Sequence, residues 1–324
     1  MIVQKDAPLV SIIIPNYNHA CFLERRIQSV LDQTYQDFEI ILLDDASPDN
    51  SVEILSRFAQ NPRVYKTIFN EVNSGSTFKQ WNKGISQARG EYIWLAESDD
   101  YADKNLLENL VQPLNSNPNV GVSYCQSWAV NECDRICSSM QEWTDDLDKE
   151  RWRKNFINSG LDECSRYIVQ KCTVPNASAV VFRRSVYEKV GGADESFRLS
   201  GDWMMWTKML LASDVAFTAE PLNFFRMHSN TVRGSCGKSE LALKEAFLIV
   251  HHILQNIRVP KQIQEDTFNG LMNRWLAGIA DYRWGFSTNV NVYRNFGRLD
   301  QQIHHRITNR LIKSLSKSFH SRVS

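Results

Sequence analysis

The stretch FEIILLDDASPDNSVEIL, residues Phe38 to Leu55, passes from an apolar run through an acidic turn into helical spacing. Its opening is almost continuously apolar, the pattern of a strand covered on both faces in a parallel sheet. Asp44 and Asp45 end the run abruptly. The following Ala-Ser-Pro-Asp-Asn is turn chemistry, with Ser47 or Asp49 placed to cap a helix. That arrangement leaves Asp45 free to accept a hydrogen bond from a ligand such as a nucleobase imide.

The same strand-then-helix unit stands on either side. Upstream, Leu9 to Ile14 is a β-branched run stopped by Pro15 and Asn16. Asn18 is placed to cap a helix whose apolar face is Phe22, Leu23, Ile27, Val30 and Leu31. Downstream, Val64 to Phe69 is a third strand, and STFKQWNKGISQARG reads as a helix closed by Gly90. Tyr92 to Leu95 is a fourth strand. Alternation with such short connections specifies an α/β fold with a parallel sheet between helices. Ligands of open sheets bind beyond the carboxyl ends of the strands. Three polar clusters should therefore converge on one crevice: Pro15-Asn16-Tyr17-Asn18, Asp44-Asp45 and Ser98-Asp99-Asp100.

The last cluster is the least ordinary, because Glu97, Asp99, Asp100 and Asp103 follow an apolar strand directly. Unpartnered burial of such groups costs several kcal/mol, on the order of the usual polar-burial penalty. Either water solvates them or something positive belongs there. Oxygen ligands at a strand end suit a hard cation, Mn²⁺ or Mg²⁺, with substrate phosphates completing its shell.

Composition narrows the remaining classes. The 324 residues are 43% apolar and 23% charged, within the range of globular proteins. Lys plus Arg equals Asp plus Glu at 37 each, so no global field argues for nucleic acid. Seven cysteines are scattered without a CxxC pair. Cys125, Cys133 and Cys137 do not reach zinc-site spacing, and reduced structural thiols of a cytoplasmic protein are the expectation. No stretch approaches the roughly 18 apolar residues of a membrane span. No GxGxxG follows the first strand and no GxxxxGK[ST] occurs, which removes the main support for dinucleotide and P-loop enzymes.

Read together, VSIIIPNYNHACFLERRIQSVLDQTYQDFEIILLDDASPDNSVEIL and NEVNSGSTFKQWNKGISQARGEYIWLAESDDYAD resemble the inverting glycosyltransferases of family 2. The resemblance runs from about Pro8 to Arg233 and is weakest between Cys125 and Cys172. It implies the GT-A fold, a Rossmann-like, mostly parallel sheet flanked by helices, with a helical C-terminal extension. The implied catalytic domain is 1–238, with a nucleotide-sugar half at about 8–115 and an acceptor half at about 116–238. The extension is 239–324.

The resemblance also implies roles. Pro15 and Tyr17 line a nucleoside pocket, Asp45 faces the base, Asn82 belongs to the nucleotide-sugar site, and Asp99 lies toward ribose or sugar. Asp100 binds the metal, in a Ser-Asp-Asp motif rather than a strict Asp-x-Asp. FRLSGDWMMWTKML matches the acidic motif that opens a helix, making Asp202 the catalytic base, with Glu195 and Asp194 as alternates. His228, in FFRMHSNTVR, is a further metal or diphosphate contact, with Arg226 or Arg233 able to pair with phosphate. Trp81 departs from the family, where an arginine commonly stands; Lys79 or Lys83 would then supply that charge.

The implied reaction moves a sugar from a nucleoside diphosphate, UDP by resemblance, to a glycan or polyprenol-linked acceptor in surface polysaccharide or glycolipid assembly. A nucleotidyltransferase and a non-catalytic sugar-nucleotide or glycan-binding protein are the alternatives. The first would want a glycine- and lysine-rich loop where PNYNHA stands, and the second has no need of a base.

Gly121 to Cys125 and Ser178 to Phe182 read as further strands, and Asp134 to Cys172 as an irregular segment shaping an acceptor pocket. Beyond Asp300 no acidic residue remains, while Arg306, Arg310, Lys313, Lys317 and Arg322 recur beside an apolar stripe from Ile303 to Phe319. This basic amphipathic helix suits either peripheral contact with the inner face of a membrane or packing on the catalytic domain or a second subunit of a homo-oligomer.

Overall fold

The computed structural model describes residues 7–227, 240–280, 284–300 and 302–308. Ten strands form one sheet: β1 (Val10–Asn16), β2 (Phe38–Asp44), β3 (Val64–Phe69), β4 (Tyr92–Leu95), β5 (Tyr101–Ala102), β6 (Val120–Val130), β7 (Ile136–Ser139), β8 (Phe156–Asn158), β9 (Val180–Arg183) and β10 (Asp214–Arg226). Their order is β3-β2-β1-β4-β9-β6-β10-β5, with β7 beside β6 and β8 beside β10. Parallel pairing joins β3, β2, β1 and β4, and also β6 with β10. The expected α/β sheet is therefore present and mostly parallel, with β9 inserted antiparallel between β4 and β6.

The helices are α1 (Ala20–Leu31), α2 (Ser51–Phe58), α3 (Thr77–Ile85), α4 (Leu106–Ser116), α5 (Gly160–Glu163), α6 (Arg184–Lys189), α7 (Gly201–Leu210), α8 (Glu240–Asn256), α9 (Lys261–Ala280) and α10 (Phe286–Leu299). One face of the sheet packs on α1, α2 and α4, through Leu23, Ile27, Leu55 and Leu110. The other packs on α3 and α7, and α8 to α10 join that same core through Phe247, Ile249, Ile253, Phe268 and Phe296. Each fully buried side chain of this kind contributes about 1.5–3 kcal/mol. The C-terminal helices thus share a core with the sheet domain.

Local chemistry departs from the sequence reading at several points. Asn18 does not cap α1; it takes a left-handed φ of 58° and its backbone N–H donates to Ser47 Oγ at 2.9 Å. Asp49 instead accepts the N–H of Ala20 at 2.9 Å and of Ser51 at 3.0 Å, so one carboxylate serves the starts of α1 and α2. Gly90 does not close α3, which ends at Ile85. A Cβ there would lie 2.6 Å from the Ser11 backbone nitrogen, so glycine lets the chain cross β1 closely. The segment 134–172 is not wholly irregular, since it supplies β7 and β8 to the sheet. Its Trp152 is buried and donates to the Tyr124 hydroxyl at 2.8 Å.

Residues 303–308 are helical, with Ile303 buried. Arg306 is not part of a solvated basic face, because it pairs with Glu265 at 2.5 Å and with Asp300. The rest of the expected basic helix, including Arg310, Lys313, Lys317 and Arg322, lies outside the described residues. No helix among the described residues is long and apolar enough to cross a membrane.

Candidate functional site

The register of β2, β1 and β4 brings their carboxyl ends side by side: Asn16 lies opposite Asp44, and Ile13 opposite Leu95. Asp44-Asp45 and Glu97-Ser98-Asp99-Asp100 therefore flank the end of β1, as the pattern of strand ends predicts.

The two acidic groups are handled differently. Asp44 accepts Asn16 Nδ2 at 2.8 Å, the Ser47 N–H at 2.9 Å and the Ser47 hydroxyl at 2.6 Å. Asp45 is buried and accepts Asn70 Nδ2 at 2.6 Å, the Ser74 N–H at 2.9 Å and Gln80 Nε2 at 2.9 Å on Oδ1. Its Oδ2 accepts the Ser74 hydroxyl at 2.7 Å. The expectation of a free Asp45 is thus corrected: its carboxylate already holds the loop between β3 and α3, with remaining acceptor capacity on Oδ2. Ala46, next to it, adopts a left-handed φ of 61°, which costs a non-glycine residue of order 1 kcal/mol.

At the end of β4, charge rather than hydrogen bonding dominates. Asp100 is 2% exposed; its Oδ1 accepts the Arg226 N–H at 2.8 Å, and the Ser178 hydroxyl also bonds it. Burial first, and then the neighbouring Asp99, push its pKa up to about 7. Glu97 is raised further, to about 8, by burial and then by Asp99, although Trp81 Nε1 donates to its Oε1 at 2.6 Å. Behind them lies Arg26, fully buried, donating Nε to the Glu97 carbonyl at 2.8 Å. Its two terminal nitrogens have no hydrogen-bond partner among the described residues. Desolvation lowers it to about 10, opposed by the three carboxylates, so it stays charged at neutral pH.

Sequence reading overlooked Arg26, yet a signal existed: it stands on the apolar stripe of α1 beside Leu23 and Ile27. Arg226 is a second buried cation nearby, but its guanidinium pairs with Asp134, so Arg26 facing three carboxylates leaves the cluster short of positive charge. Oxygen donors in that state fit a hard divalent ion. Among the described residues, no group of three or more His, Cys, Asp or Glu side chains is arranged to enclose a metal by itself. Substrate oxygens would have to complete the shell.

Of the other expected site residues, Tyr17 is 46% exposed just beyond β1, whereas Pro15 is buried within that strand opposite Leu43. Asn82 is engaged by the protein itself. Its Nδ2 donates to the Ala193 carbonyl and to Glu195, both at 2.9 Å, and its Oδ1 accepts from the Ala193 N–H at 3.1 Å and from the Tyr187 hydroxyl. Every acceptor and donor site of that amide is occupied. Arg226 is likewise unavailable to phosphate: it is buried and donates to the Asp99 carbonyl, the Asn131 carbonyl and Asp134. Lys79 and Lys83 are exposed, and Lys83 bonds Asn70. His228 and Arg233 lie outside the described residues.

Asp202 stands in the first turn of α7, partly exposed, with its Oδ1 accepting the Trp203 N–H at 2.8 Å. α3 ties this turn to the acidic cluster. Phe78 packs against Gly201, where a Cβ would meet the ring at 2.5 Å, and against Trp81 at a ring separation of 5.2 Å. Trp81 in turn holds Glu97. The segment leading into α7 is held by Glu245 of α8, a buried carboxylate that sequence reading also missed. It accepts the N–H groups of Arg198 at 2.7 Å, Leu199 at 3.1 Å and Ser200 at 2.7 Å. A cavity of about 720 Å³ lies elsewhere, among the C-terminal helices beside His251, Arg258, Lys261 and Arg298.

Comparison with known proteins gives the family and agrees with the fold. Residues 11–191 match the family model described as glycosyl transferase family 2. The glycosyltransferase GlyG of Streptococcus pneumoniae is 41% identical over 104 residues, 32% of this chain and 34% of that protein. An uncharacterized glycosyltransferase of Rickettsia typhi is 31% identical over 224 residues, 68% of this chain and 65% of that protein. The chain thus spans less than two thirds of the length of either relative. In structure, Staphylococcus aureus TarS in complex with UDP-GlcNAc superposes with a TM-score of 0.70 at 16% identity, covering 91% of this chain and 82% of that one. The mannosyltransferase PcManGT of Pyrobaculum calidifontis, in complex with GDP-Man and Mn²⁺, gives a TM-score of 0.57 at 16% identity, over 98% of this chain and 83% of that one. These two likenesses concern the fold.

Proposed function

The chain belongs to glycosyl transferase family 2, and from that membership we propose that it is an inverting, metal-dependent enzyme moving a sugar from UDP to an acceptor hydroxyl. One observation carries the reading: the hydrogen-bonded Asp44-Asp45 pair and the charge-deficient Glu97–Asp100 cluster meet at the ends of adjacent parallel strands. The UDP-GlcNAc complex of TarS and the GDP-Man and Mn²⁺ complex of PcManGT support a nucleotide-sugar donor and a divalent ion.

In this reading Asp100, with Asp99 beside it, holds Mn²⁺ or Mg²⁺, and His228 is a further ligand to the metal or diphosphate. The bound ion supplies neutralisation of the charge on the departing diphosphate. Asp45 acts mainly through the loop it orders, from Asn70 to Gln80, and through the free capacity of Oδ2 toward the base. Tyr17 offers an exposed ring at the mouth of the nucleoside side.

Asp202 accepts the proton of the acceptor hydroxyl as that oxygen bonds the anomeric carbon from the face opposite the diphosphate. The bond from that carbon to the diphosphate oxygen breaks, and its electrons leave with the nucleoside diphosphate. General-base participation of this kind contributes about 10²–10⁴-fold. The acceptor is a glycan or polyprenol-linked sugar of surface polysaccharide or glycolipid assembly.

Thermal stability with UDP, dTDP and GDP, each with and without Mn²⁺, tests the donor site. Binding at a hundredfold excess over the dissociation constant adds about 2.7 kcal/mol. A Mn²⁺-dependent rise with UDP alone is expected, and no rise with any nucleotide overturns the donor assignment. Asp202→Asn should lower transfer by 10²-fold or more, on the order of general-base effects, while UDP binding with Mn²⁺ stays within about threefold.

A further inference from the structure

Glu245 belongs to the C-terminal helices, yet its contacts converge on the segment that delivers Asp202. Both carboxylate oxygens are engaged: Oε1 accepts the Arg198 N–H at 2.7 Å, and Oε2 accepts the N–H groups of Leu199 at 3.1 Å and Ser200 at 2.7 Å. Ser200 is the residue from which α7 starts, and Asp202 follows in the first turn. A charged acceptor 3% exposed and holding three consecutive backbone donors fixes their peptide planes far more tightly than water would.

The burial of Glu245 is not a by-product of helix packing. Glu245, Ile249 and Ile253 are spaced by four residues, and the two isoleucines are fully buried. The carboxylate therefore occupies a position on the inward stripe of α8 that an apolar side chain would otherwise fill. A buried carboxylate persists at such a position when it is paired or hydrogen-bonded, and here its partners are the three N–H groups ahead of α7.

The same segment reaches the donor side. Arg198 Nη1 donates to the Gly75 carbonyl at 2.7 Å. Gly75, at a φ of 68°, adjoins Ser74, whose N–H and hydroxyl both bond Asp45. One continuous set of hydrogen bonds thus runs from α8 through residues 198–200 to the loop held by Asp45.

We propose that Glu245 is a positioning residue for Asp202: it sets the start of α7 so that the base meets the acceptor hydroxyl, making the C-terminal helices part of the catalytic site. This rests on the reading of Asp202 as the base. Without the carboxylate, the N–H groups of 198–200 turn to water or to the nearby Asp202 carboxylate, and the base loses its aim. Donor affinity is set mainly by the strand ends, and so the defect falls on turnover.

The test uses the full chain with UDP-GlcNAc and Mn²⁺, reading UDP release, together with amide hydrogen exchange of residues 198–203. Glu245→Gln preserves volume but replaces one acceptor oxygen by a donor group that opposes a backbone N–H. Expected are a 10- to 100-fold lower kcat, a donor KM within about threefold of the parent, and roughly tenfold faster exchange at 198–200. Glu245→Asp, which keeps the charge, should recover part of the turnover. Asp202→Asn is run beside it. UDP release that survives Asp202→Asn overturns the base reading and this proposal with it. Release lost in Asp202→Asn but intact in folded Glu245→Gln overturns this proposal alone, as does a Glu245→Gln defect confined to donor KM.

Discussion

The same dipeptide stands at the end of β2, Asp44-Asp45, and in the turn after β4, Asp99-Asp100, with β1 alone between the two strands. Their surroundings differ in charge. The first pair is met by neutral donors from Asn16, Ser47, Asn70, Ser74 and Gln80. In the second, Asp100 accepts the Arg226 N–H and the Ser178 hydroxyl, but the pair also faces a third carboxylate, Glu97, and a buried guanidinium whose two terminal nitrogens have no hydrogen-bond partner among the described residues. Hydrogen bonds satisfy an aspartate where it stands and make it part of the scaffold. A deficit of positive charge leaves it ready for an ion. The comparison teaches that an acidic motif marks a cation site by what is missing around it, more than by the number of its carboxylates.

Removing Arg26 would deepen that deficit. Arg26→Met is expected to cost about 3–5 kcal/mol at pH 8, the range for breaking a buried charge pair. At pH 6, where Asp100 and Glu97 hold their protons, the loss should shrink. Urea unfolding at both pH values checks this, and a loss independent of pH would mean that Arg26 serves packing alone.

At the other strand end, charge is tied to hydrogen bonds. Asp45→Asn should cost about 1.5–3 kcal/mol, as for a hydrogen bond to a charged group, and loosen residues 70–80. Proteolysis or hydrogen exchange of that loop would show it. An unchanged loop would place the importance of Asp45 in ligand contact instead.

Per pH unit the effect is smaller, and it is read as the pH dependence of the metal-free protein. The folded values of about 7 for Asp100 and about 8 for Glu97 lie above the ordinary carboxyl value near 4. The folded state therefore binds more protons between those limits. Stability falls as pH rises from about 4 through 7 to 8, by at most about 1.4 kcal/mol per pH unit for each group. Mn²⁺ with UDP should flatten or reverse the slope, since an ion favours the deprotonated carboxylates. A metal-free slope that rises over this range would contradict the charge deficit at β4.

Much of this was legible in the chain. Apolar runs ending in Pro15, Asp44 and Ser98 gave the parallel core and its crevice, because buried strands need continuous apolar residues and strand ends need polar turns. Asp202 at a helix start was equally visible. Asn82 was read as a nucleotide-sugar contact from the family resemblance, and Arg226 as able to pair with phosphate. The structure engages them with Ala193, Glu195 and Tyr187, and with Asp99, Asn131 and Asp134. Those partners lie far away in sequence, so local pattern held no record of them.

The sequence by itself determined the fold class and the polar strand ends, because periodicity and turn chemistry act over a few residues, and its ordered motifs carried the family resemblance. Only the tertiary structure decided which carboxylates are satisfied and which lack positive charge. It also decided that Arg26 backs the acidic cluster and that Glu245 reaches across from the C-terminal helices to the start of α7. Electrostatic balance and hydrogen-bond saturation depend on what surrounds a group in space, and for these groups the surroundings come from distant parts of the chain.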